Sequence, residues 1–545
     1  MAIKAITSLP KVVPMLTLPR PIFTPEHEAF REQVRRFCDK EIAPHHAQWE
    51  HDHLVPAELW RKAGEYALLC CWIGEEDGGP GGDLLFDFIV CEELGRVGAT
   101  GPGFPLHSVI VAPYIAHHGT PALKKRMLPG MACGEKIGAI AMTEPSAGSD
   151  VAAIRTTAKE DGDSWVINGQ KTFITNGYNS NVIVLACKTD QSQGARGISL
   201  FVVEADAPGF SRGRNLDKIG QYAQDTAELF FDDVRVPREN LLGVVGEGFR
   251  YLMQGLAQER LLVSVQCQSR AESAFEWTTQ YVRDRKAFNQ PLSNLQNTRF
   301  KMAELAADLQ AGRAYCDQLI QLHMVGQLDA ATASAGKLWH SELLGRVTDT
   351  CLQLHGGYGY MREYPIARAY VDARIERIYA GTSEIMKELT RSMTQPNPDR
   401  ELIRRFIEAP DTVDAIPLNP MAAALGLKVV RLNSVPREIE LAFTPTPIFL
   451  QGVGVLQGGA VAGMLDFAMA FALLSKLGPE QSCATINLTT SYLRAAPIGE
   501  YRSVAEIERQ TRSIAFLRAK LFERCSPETV IATAQGTFAI TASQV

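Results

Sequence analysis

No long uninterrupted apolar run crosses this chain of 545 residues. The longest uncharged stretch, Leu441–Leu465, is broken by Pro445, Pro447, five glycines, Gln451 and Gln457, which reads as the core of a soluble domain rather than a membrane span. An excess of one charge is also missing. Lys+Arg number 55 against 61 Asp+Glu, a net charge of −6, so there is neither a basic nucleic-acid footprint nor an acidic tail. The 11 cysteines are scattered, odd in number and without a CxxC pair; that excludes the usual structural-zinc spacing and fits a reducing compartment. No internal repeat is visible. A nicotinamide-binding fold would want GxGxxG after a first strand. The nearest match, GVGVLQGG at 452–459, lacks the third glycine in its place and comes late in the chain, so it is a chance match.

The first residues carry Lys4, Lys11 and Arg20 with no acid before Glu26. That has the flavour of a transit segment, but Pro10 and Pro14 break an amphipathic helix and no apolar signal core occurs. The expectation is a cytoplasmic protein, with the mitochondrial matrix as the alternative.

What is present is enough apolar material, 46% of residues, for several cores in a multidomain chain. Residues 1–21 are expected to be a flexible N-terminus. Residues 22–136 read as a helical domain, with Phe30, Val34 and Phe37 at helical spacing. The texture changes near 137. Segments such as TFIT, VIVLAC and ISLFVV, separated by Gly, Asn and Asp turns, predict a β-domain over 137–243. Helical periodicity returns over 244–394. The prolines from TQPNPDR at 394–400 onward predict a linker over 395–417. Residues 418–545 then read as two strands, one apolar helix and several more strands, an α+β unit with a sheet wrapped around a helix.

Five separated segments carry chemistry. AMTEPSAGSD at 141–150 combines the hydroxyls of Thr143, Ser146 and Ser149 with Gly148, where backbone can approach a planar ligand. KTFITNG at 171–177 offers Phe173 as a stacking surface and Thr175 as a hydrogen-bonding group. RKAFNQPL at 285–292 and QLHGGYGY at 353–360 bring an arginine, a glutamine and a glycine pair suited to a pyrophosphate. IYAGTSEIMKE at 378–388 closes the helical block. Singly, each also reads as a turn, a core aromatic or a helix cap.

In this order the five motifs resemble the acyl-CoA dehydrogenase family over residues 22–394. PHHAQWE at 44–50, GPGFPLHS at 101–108, AQDTAELFFDD at 223–233 and QERLL at 258–262 look most like its long-chain branch. The resemblance implies a helical, β-barrel, helical architecture, FAD as cofactor, and an acyl-CoA substrate dehydrogenated between its α and β carbons. It also implies electron-transferring flavoprotein as partner and a homotetramer.

Most members place the catalytic base, a glutamate, where this chain has Ala380. The long-chain and isovaleryl branches place it earlier, in a pair that is Glu259-Arg260 here, so Glu259 is the expected base. A helix acid paired with Arg260 is the plain alternative. Ala380 and Gly381 would keep a backbone donor beside the thioester carbonyl, with Ser149 and Arg260 near the substrate. The resemblance assigns Met142, Thr143, Gly148, Ser149, Phe173 and Thr175 to the flavin ring and its edge. It assigns Arg285, Phe288, Gln296, Gln353, Gly356 and Gly357 to the diphosphate and adenosine part of FAD, in the neighbouring subunit, and Thr382 and Glu384 to a last flavin contact. Arg250 stands where related enzymes tend to carry tyrosine near the CoA arm. No metal is implied.

LQGGAVAGMLDFAMAFAL at 456–473 resembles the helix of hotdog-fold thioesterases of the phenylacetate-pathway type. Their usual HGG start is QGG here, with Gln457 for the histidine, while Gly458, Gly459, Asp466 and Gln451 match the pattern. The resemblance implies that the Gly458 N–H polarises a thioester carbonyl and that Asp466 attacks it or activates water. A unit that only binds acyl-CoA is the alternative. For the whole chain, an oxygen-using acyl-CoA oxidase and a non-catalytic acyl-CoA-binding protein are the competing readings.

Overall fold

The computed structural model describes residues 19–390, 402–403, 420–433, 438–452, 454–478 and 481–542. They fall into two compact units, residues 1–390 and 391–545, each described by itself.

The first unit opens with six helices, α1 (Pro25–Phe37), α2 (His46–Asp52), α3 (Ala57–Glu65), α4 (Leu84–Arg96), α5 (Ala112–His118) and α6 (Pro121–Ala132). Local chemistry starts them. Thr24 and His27 form a reciprocal cap on α1 with Pro25 at its first position, Asp83 Oδ1 accepts from Leu85 N at 2.8 Å to start α4, and Thr120 with Pro121 starts α6. Helix α4 is buried almost all round and carries acids inward. Burial alone would raise Glu92, but Arg20, Arg313 and Arg31 hold it well below the usual carboxylate range. Arg20 donates to Glu92 at 2.8 Å and to Asp317 at 2.7 Å. The expected flexible N-terminus is therefore tied down at Arg20; residues 1–18 lie outside the described residues.

Strands β1 (Gly138–Ala141), β2 (Thr157–Asp161), β3 (Ser164–Thr175), β4 (Val182–Lys188), β5 (Ile198–Glu204), β6 (Phe210–Asn215), β7 (Thr226–Pro237) and β8 (Leu241–Leu242) form one eight-stranded sheet. Its order is β6-β7-β3-β2-β4-β5-β8, with β1 added parallel to β4. Strand β4, VIVLACK, is buried at every position, as its unbroken apolar run requires.

Three long helices follow, α7 (Gly248–Asp284), α8 (Gln296–Met324) and α9 (Ala330–His355), with the small hairpin of β9 (Lys286–Ala287) and β10 (Gln290–Pro291) after α7. Short helices α10 (Pro365–Ala373) and α11 (Ser383–Thr390) complete the unit. Helix α7 packs along α9, and a core of Val263, Cys267, Ala271, Leu343 and Val347 joins them.

The second unit holds α12 (Pro420–Ala424), β11 (Lys428–Asn433), β12 (Glu438–Phe443), α13 (Gly458–Leu474), β13 (Gln481–Tyr492), β14 (Tyr501–Gln510), β15 (Ile514–Glu523) and β16 (Ser526–Ala542). The six strands run antiparallel in the order β11-β12-β14-β15-β16-β13. Met464, Leu465, Ala468 and Met469 of α13 pack into its core with Leu441, Leu517 and Phe538. Leu402 and Ile403, only 2% and 5% exposed, join that same core. Part of the stretch expected as linker is thus core of this unit, because two adjacent aliphatics there find a buried site; the rest of 395–417 lies outside the described residues. Among the described residues no helix is long and apolar enough to cross a membrane, and no metal-holding cluster occurs.

Candidate active site

The pairing of β3 with β7 slips between Lys171↔Leu229 and Ile174↔Ala227. Two residues, Thr172 and Phe173, then face only Glu228, a bulge that re-aims side chains. Phe173 takes a left-handed φ of 59° and leaves its ring 67% exposed. A large apolar ring held in strained backbone and open to water is a surface awaiting a partner. Thr172 N donates to Thr143 O at 3.0 Å, tying the bulge to the 141–150 loop.

Behind that loop lies a buried ion pair. Lys171 Nζ donates to Met142 O at 2.9 Å and to Glu144 Oε1 at 2.8 Å. Glu144 also accepts the N–H groups of Arg155 and Thr156 at 2.6 and 3.0 Å. Burial would neutralise Glu144, but Lys171 and these donors hold it below the usual carboxylate range. Met142 and Thr143 are half-buried, while Gly148 and Ser149 are exposed, with open space where a Cβ of Gly148 would stand. After half-buried Thr175, Asn176 turns the chain at φ 59°. It is fixed by its own bond to Gly138 O at 3.1 Å and by Gln224 at 2.9 Å.

A second cluster forms where α7 and α9 end. Arg285 lies over the Tyr358 ring at 5.2 Å, and Tyr281 stacks on His355 at 4.0 Å. Gly356 takes φ 59° with no neighbour where a Cβ would stand, and Gly357 and Gln353 beside it are exposed. In the hairpin, Phe288 and Asn289 both have left-handed φ, 50° and 62°, and Phe288 is 87% exposed. Gln296 opens α8, exposed. Glu259 and Arg285 are 26 residues apart on α7 and its cap, about 39 Å at 1.5 Å per residue, so one chain does not bring them together.

Glu259 sits about a third of the way along α7, 5% exposed. Burial pushes its carboxyl up to about 7, against a hydrogen bond from Tyr114 and the charge of Arg260. The Tyr114 hydroxyl donates to Glu259 Oε1 at 2.8 Å. The adjacent Arg260 is also buried, its Nε without a hydrogen-bond partner, and burial lowers its pKa. Ala380 packs against the cluster that contains Val263 and Cys267, the next turns of α7 after Glu259. Ala380 and Gly381 form a left-handed turn, φ 50° and 95°, pinned by buried Lys337, whose Nζ donates to Gly381 O at 2.7 Å. Thr382 Oγ1 accepts from Ile385 N at 3.3 Å at the start of α11; Glu384 next to it is exposed. The other buried acids nearby are engaged. Glu376 is held by Arg270 and Cys267, and Asp372 by Thr100 at 2.9 Å and the N–H of Gln221. Arg250 is an exposed residue paired with Glu247.

In the second unit, Gly458 begins α13 and Gln457 precedes it without a side-chain cap bond. The Tyr492 hydroxyl donates to Gly458 O at 2.9 Å. Asp466 accepts from Thr485 Oγ1 at 2.8 Å; burial raises its pKa, Thr485 opposing. Gln451, exposed, lies in the turn closed by its N–H to Val455 O at 2.9 Å. Eight residues of helix, about 12 Å, separate Gly458 from Asp466, so they do not meet within one unit.

Residues 24–135, 139–234 and 246–392 match the N-terminal, middle and C-terminal domains of acyl-CoA dehydrogenase. The chain is 53% identical over 372 residues to the mitochondrial long-chain specific acyl-CoA dehydrogenase of Sus scrofa, covering 68% of this chain and 86% of that protein. It belongs to the acyl-CoA dehydrogenase family. It is also 38% identical to the short-chain specific enzyme of Clostridium acetobutylicum, over 67% of this chain and 96% of that one. The solved acyl-CoA dehydrogenase of Geobacillus kaustophilus superposes with a TM-score of 0.68 at 48% identity, covering 69% of this chain and all of that one. Residues 453–524 match the thioesterase superfamily.

The acyl-CoA dehydrogenases are FAD-dependent oxidoreductases, and this member's residues fit the flavin. Phe173 leaves an exposed ring, Gly148 has open space where a Cβ would stand, and Thr172 N ties the bulge to the ion-pair-braced 142–144 loop at Thr143 O, chemistry suited to a planar ring. Sequence reasoning missed Tyr114, Lys171, Glu144 and Lys337. Lys171, inside KTFITNG, and Glu144, inside AMTEPSAGSD, stood within motifs; Tyr114 and Lys337 come from remote segments.

Proposed function

We propose that this acyl-CoA dehydrogenase removes hydrogen from the α and β carbons of a long-chain acyl-CoA, giving a trans-2-enoyl-CoA, with Glu259 as the base. The observation that carries the reading is the Glu259 carboxyl, buried and lifted to about 7, on the helix whose next turn, at Val263, packs in the same cluster as Ala380. A base for an α-proton works best when its pKa lies near the working pH. Where the family base is absent at Ala380, the turn still offers a backbone N–H to the thioester carbonyl, and Lys337 fixes that donor. Phe173, Met142, Thr143, Gly148, Ser149, Thr175, Thr382 and Glu384 would hold the flavin. FAD supplies the acceptor for hydride from the β carbon. Glu259 takes the α-proton on the oxygen not bonded to Tyr114. Ser149 and Arg260 line the substrate's approach.

The distance between Glu259 and the Arg285, Phe288, Gln296, Gln353, Gly356 and Gly357 cluster supports a homotetramer in which that cluster reaches the neighbouring subunit's FAD. Electrons then pass to electron-transferring flavoprotein. The likeness to the long-chain enzyme of Sus scrofa supports the long chain. A chain from the structure described as the electron transferring flavoprotein of Acidaminococcus fermentans, 35% identical with a TM-score of 0.65, supports the partner. The fused unit binds or hydrolyses an acyl-CoA thioester, with Asp466 as its acid and the free N–H groups at Gly458 as the carbonyl site. Domain limits follow the sequence reading apart from Arg20 and the buried Leu402 and Ile403, with the cytoplasm as compartment.

The test is anaerobic mixing of the holoenzyme with acyl-CoA thioesters from four to sixteen carbons. Bleaching of the flavin band that is fastest with the longest chains supports the reading. Bleaching only with short or branched thioesters overturns the long-chain assignment, and no bleaching with any thioester overturns the dehydrogenase reading.

A further inference from the structure

Tyr114 occupies the helix that faces the base, reached through a π-helical turn at Leu106–Val111. Gln258, the residue before Glu259, donates its Nε2 to Val109 O in that turn at 2.7 Å. Adjacent side chains of α7 thus clasp the turn and α5 together. Glycine at 255 makes the contact possible: a Cβ there would stand 2.6 Å from the Tyr114 hydroxyl and 3.3 Å from Glu259 Oε1. The helix face one turn before the base is cut back to fit the phenol.

We propose that Tyr114 is a positioning residue for the dehydrogenation: its hydroxyl, by donating to Oε1, fixes the Glu259 carboxylate so that the other oxygen faces the substrate α-proton, and favours the ionised form. This rests on Glu259 being the base. Burial keeps the phenol protonated, its pKa well above the usual value, so it acts only as a donor. Among the described residues, Arg260 is the charge that acts on Glu259. Titratable groups on the elements packed around it make their own contacts: Asp87 of α4 accepts the N–H groups of Cys71 and Trp72, each at 3.2 Å, and Asp372 of α10 accepts from Thr100 at 2.9 Å. His107 is bonded to Met131 O and Gly138 N, His117 lies against Trp72 and His118 stacks on Tyr251. Lys337 of α9 holds Gly381 O, Glu92 of α4 is held by its arginines, and Arg313 of α8 holds Glu272.

The experiment compares wild-type holoenzyme with Tyr114→Phe, Gly255→Ala and Glu259→Gln. The rate of flavin reduction by palmitoyl-CoA is followed across pH, and in parallel the Glu259 carboxyl band is titrated by infrared spectroscopy without substrate. Tyr114→Phe should keep bound FAD and move both midpoints up by about one pH unit, the scale of one lost hydrogen bond to a charged group. Gly255→Ala, which drives a methyl against the phenol oxygen, should shift them the same way. Unchanged midpoints in Tyr114→Phe would overturn the positioning role. Full reduction in Glu259→Gln would instead overturn the base itself, so the two failures are distinct.

Discussion

Lys337 Nζ donates to Gly381 O at 2.7 Å, and this one bond from α9 braces the left-handed turn that stands where the family's usual base would be. The side chain is fully buried, so the turn is held from inside the helical bundle rather than by its own residues.

Replacing Lys337 with methionine keeps the packed stem but frees the turn. The expected result is a fall in kcat of up to about 100-fold, the lower end of the cost of losing an oxyanion donor, with a smaller change in KM and bound FAD retained. Steady-state kinetics with a flavin assay checks this. Gly381→Ala should also lower Tm, because φ is 95° there and a Cβ would stand 2.5 Å from Met386 Cε.

The flavin-side loop makes a different prediction. Lys171→Met strands Glu144 as a buried unpaired charge, which costs on the order of 3–5 kcal/mol. The double change with Glu144→Gln should recover much of the loss. Denaturant titration of the two variants and wild type measures it. Phe173→Ala, at an exposed bulge, should leave stability nearly unchanged and weaken FAD binding by roughly 2- to 10-fold, the range of one aromatic contact.

Activity and stability should respond to pH in opposite senses. Glu259 must be ionised to act, so turnover rises as pH passes about 7. Its folded pKa lies above the ordinary 4.5, so the folded chain holds the proton more tightly than the unfolded one. The stability this contributes is present below about 4.5 and lost as pH rises through about 7. Asp87, raised by burial to about 7 although Cys71 and Trp72 N–H groups oppose it, acts in the same direction. Glu259→Gln should therefore stabilise relative to wild type at pH 8, by up to about 3 kcal/mol, and not at pH 4. Calorimetry at the two pH values decides it.

In the second unit, Asp466→Asn should abolish release of free CoA from an acyl-CoA and leave flavin reduction unchanged. Thr485→Val, which removes the hydroxyl donor to Asp466, should raise the Asp466 pKa and shift the CoA-release profile to higher pH. A thiol-reactive dye follows both. CoA release unaffected in Asp466→Asn would assign this unit to binding alone.

The element plan was readable because local chemistry writes it. Phe30, Val34 and Phe37 recur at helical spacing, and the apolar VIVLAC run marks the strand β4. The acyl-CoA dehydrogenase and thioesterase likenesses were readable from motifs that stay together in the chain. The bracing of the site was not. Tyr114 reaches Glu259 across 145 residues and Lys337 reaches Gly381 across 44, and nothing in the local sequence marks either partner. Phe173's bulge depends on a register slip against β7, which no periodicity in β3 alone announces. Leu402 and Ile403 sit among prolines that read as linker, and only the packed core of the second unit claims them.

The most direct test of the account is Glu259→Gln as purified holoenzyme, mixed anaerobically with palmitoyl-CoA while the visible flavin band is watched. The account predicts bound FAD that stays oxidised while wild type bleaches. Bleaching of Glu259→Gln at the wild-type rate would contradict it and move the base to another residue.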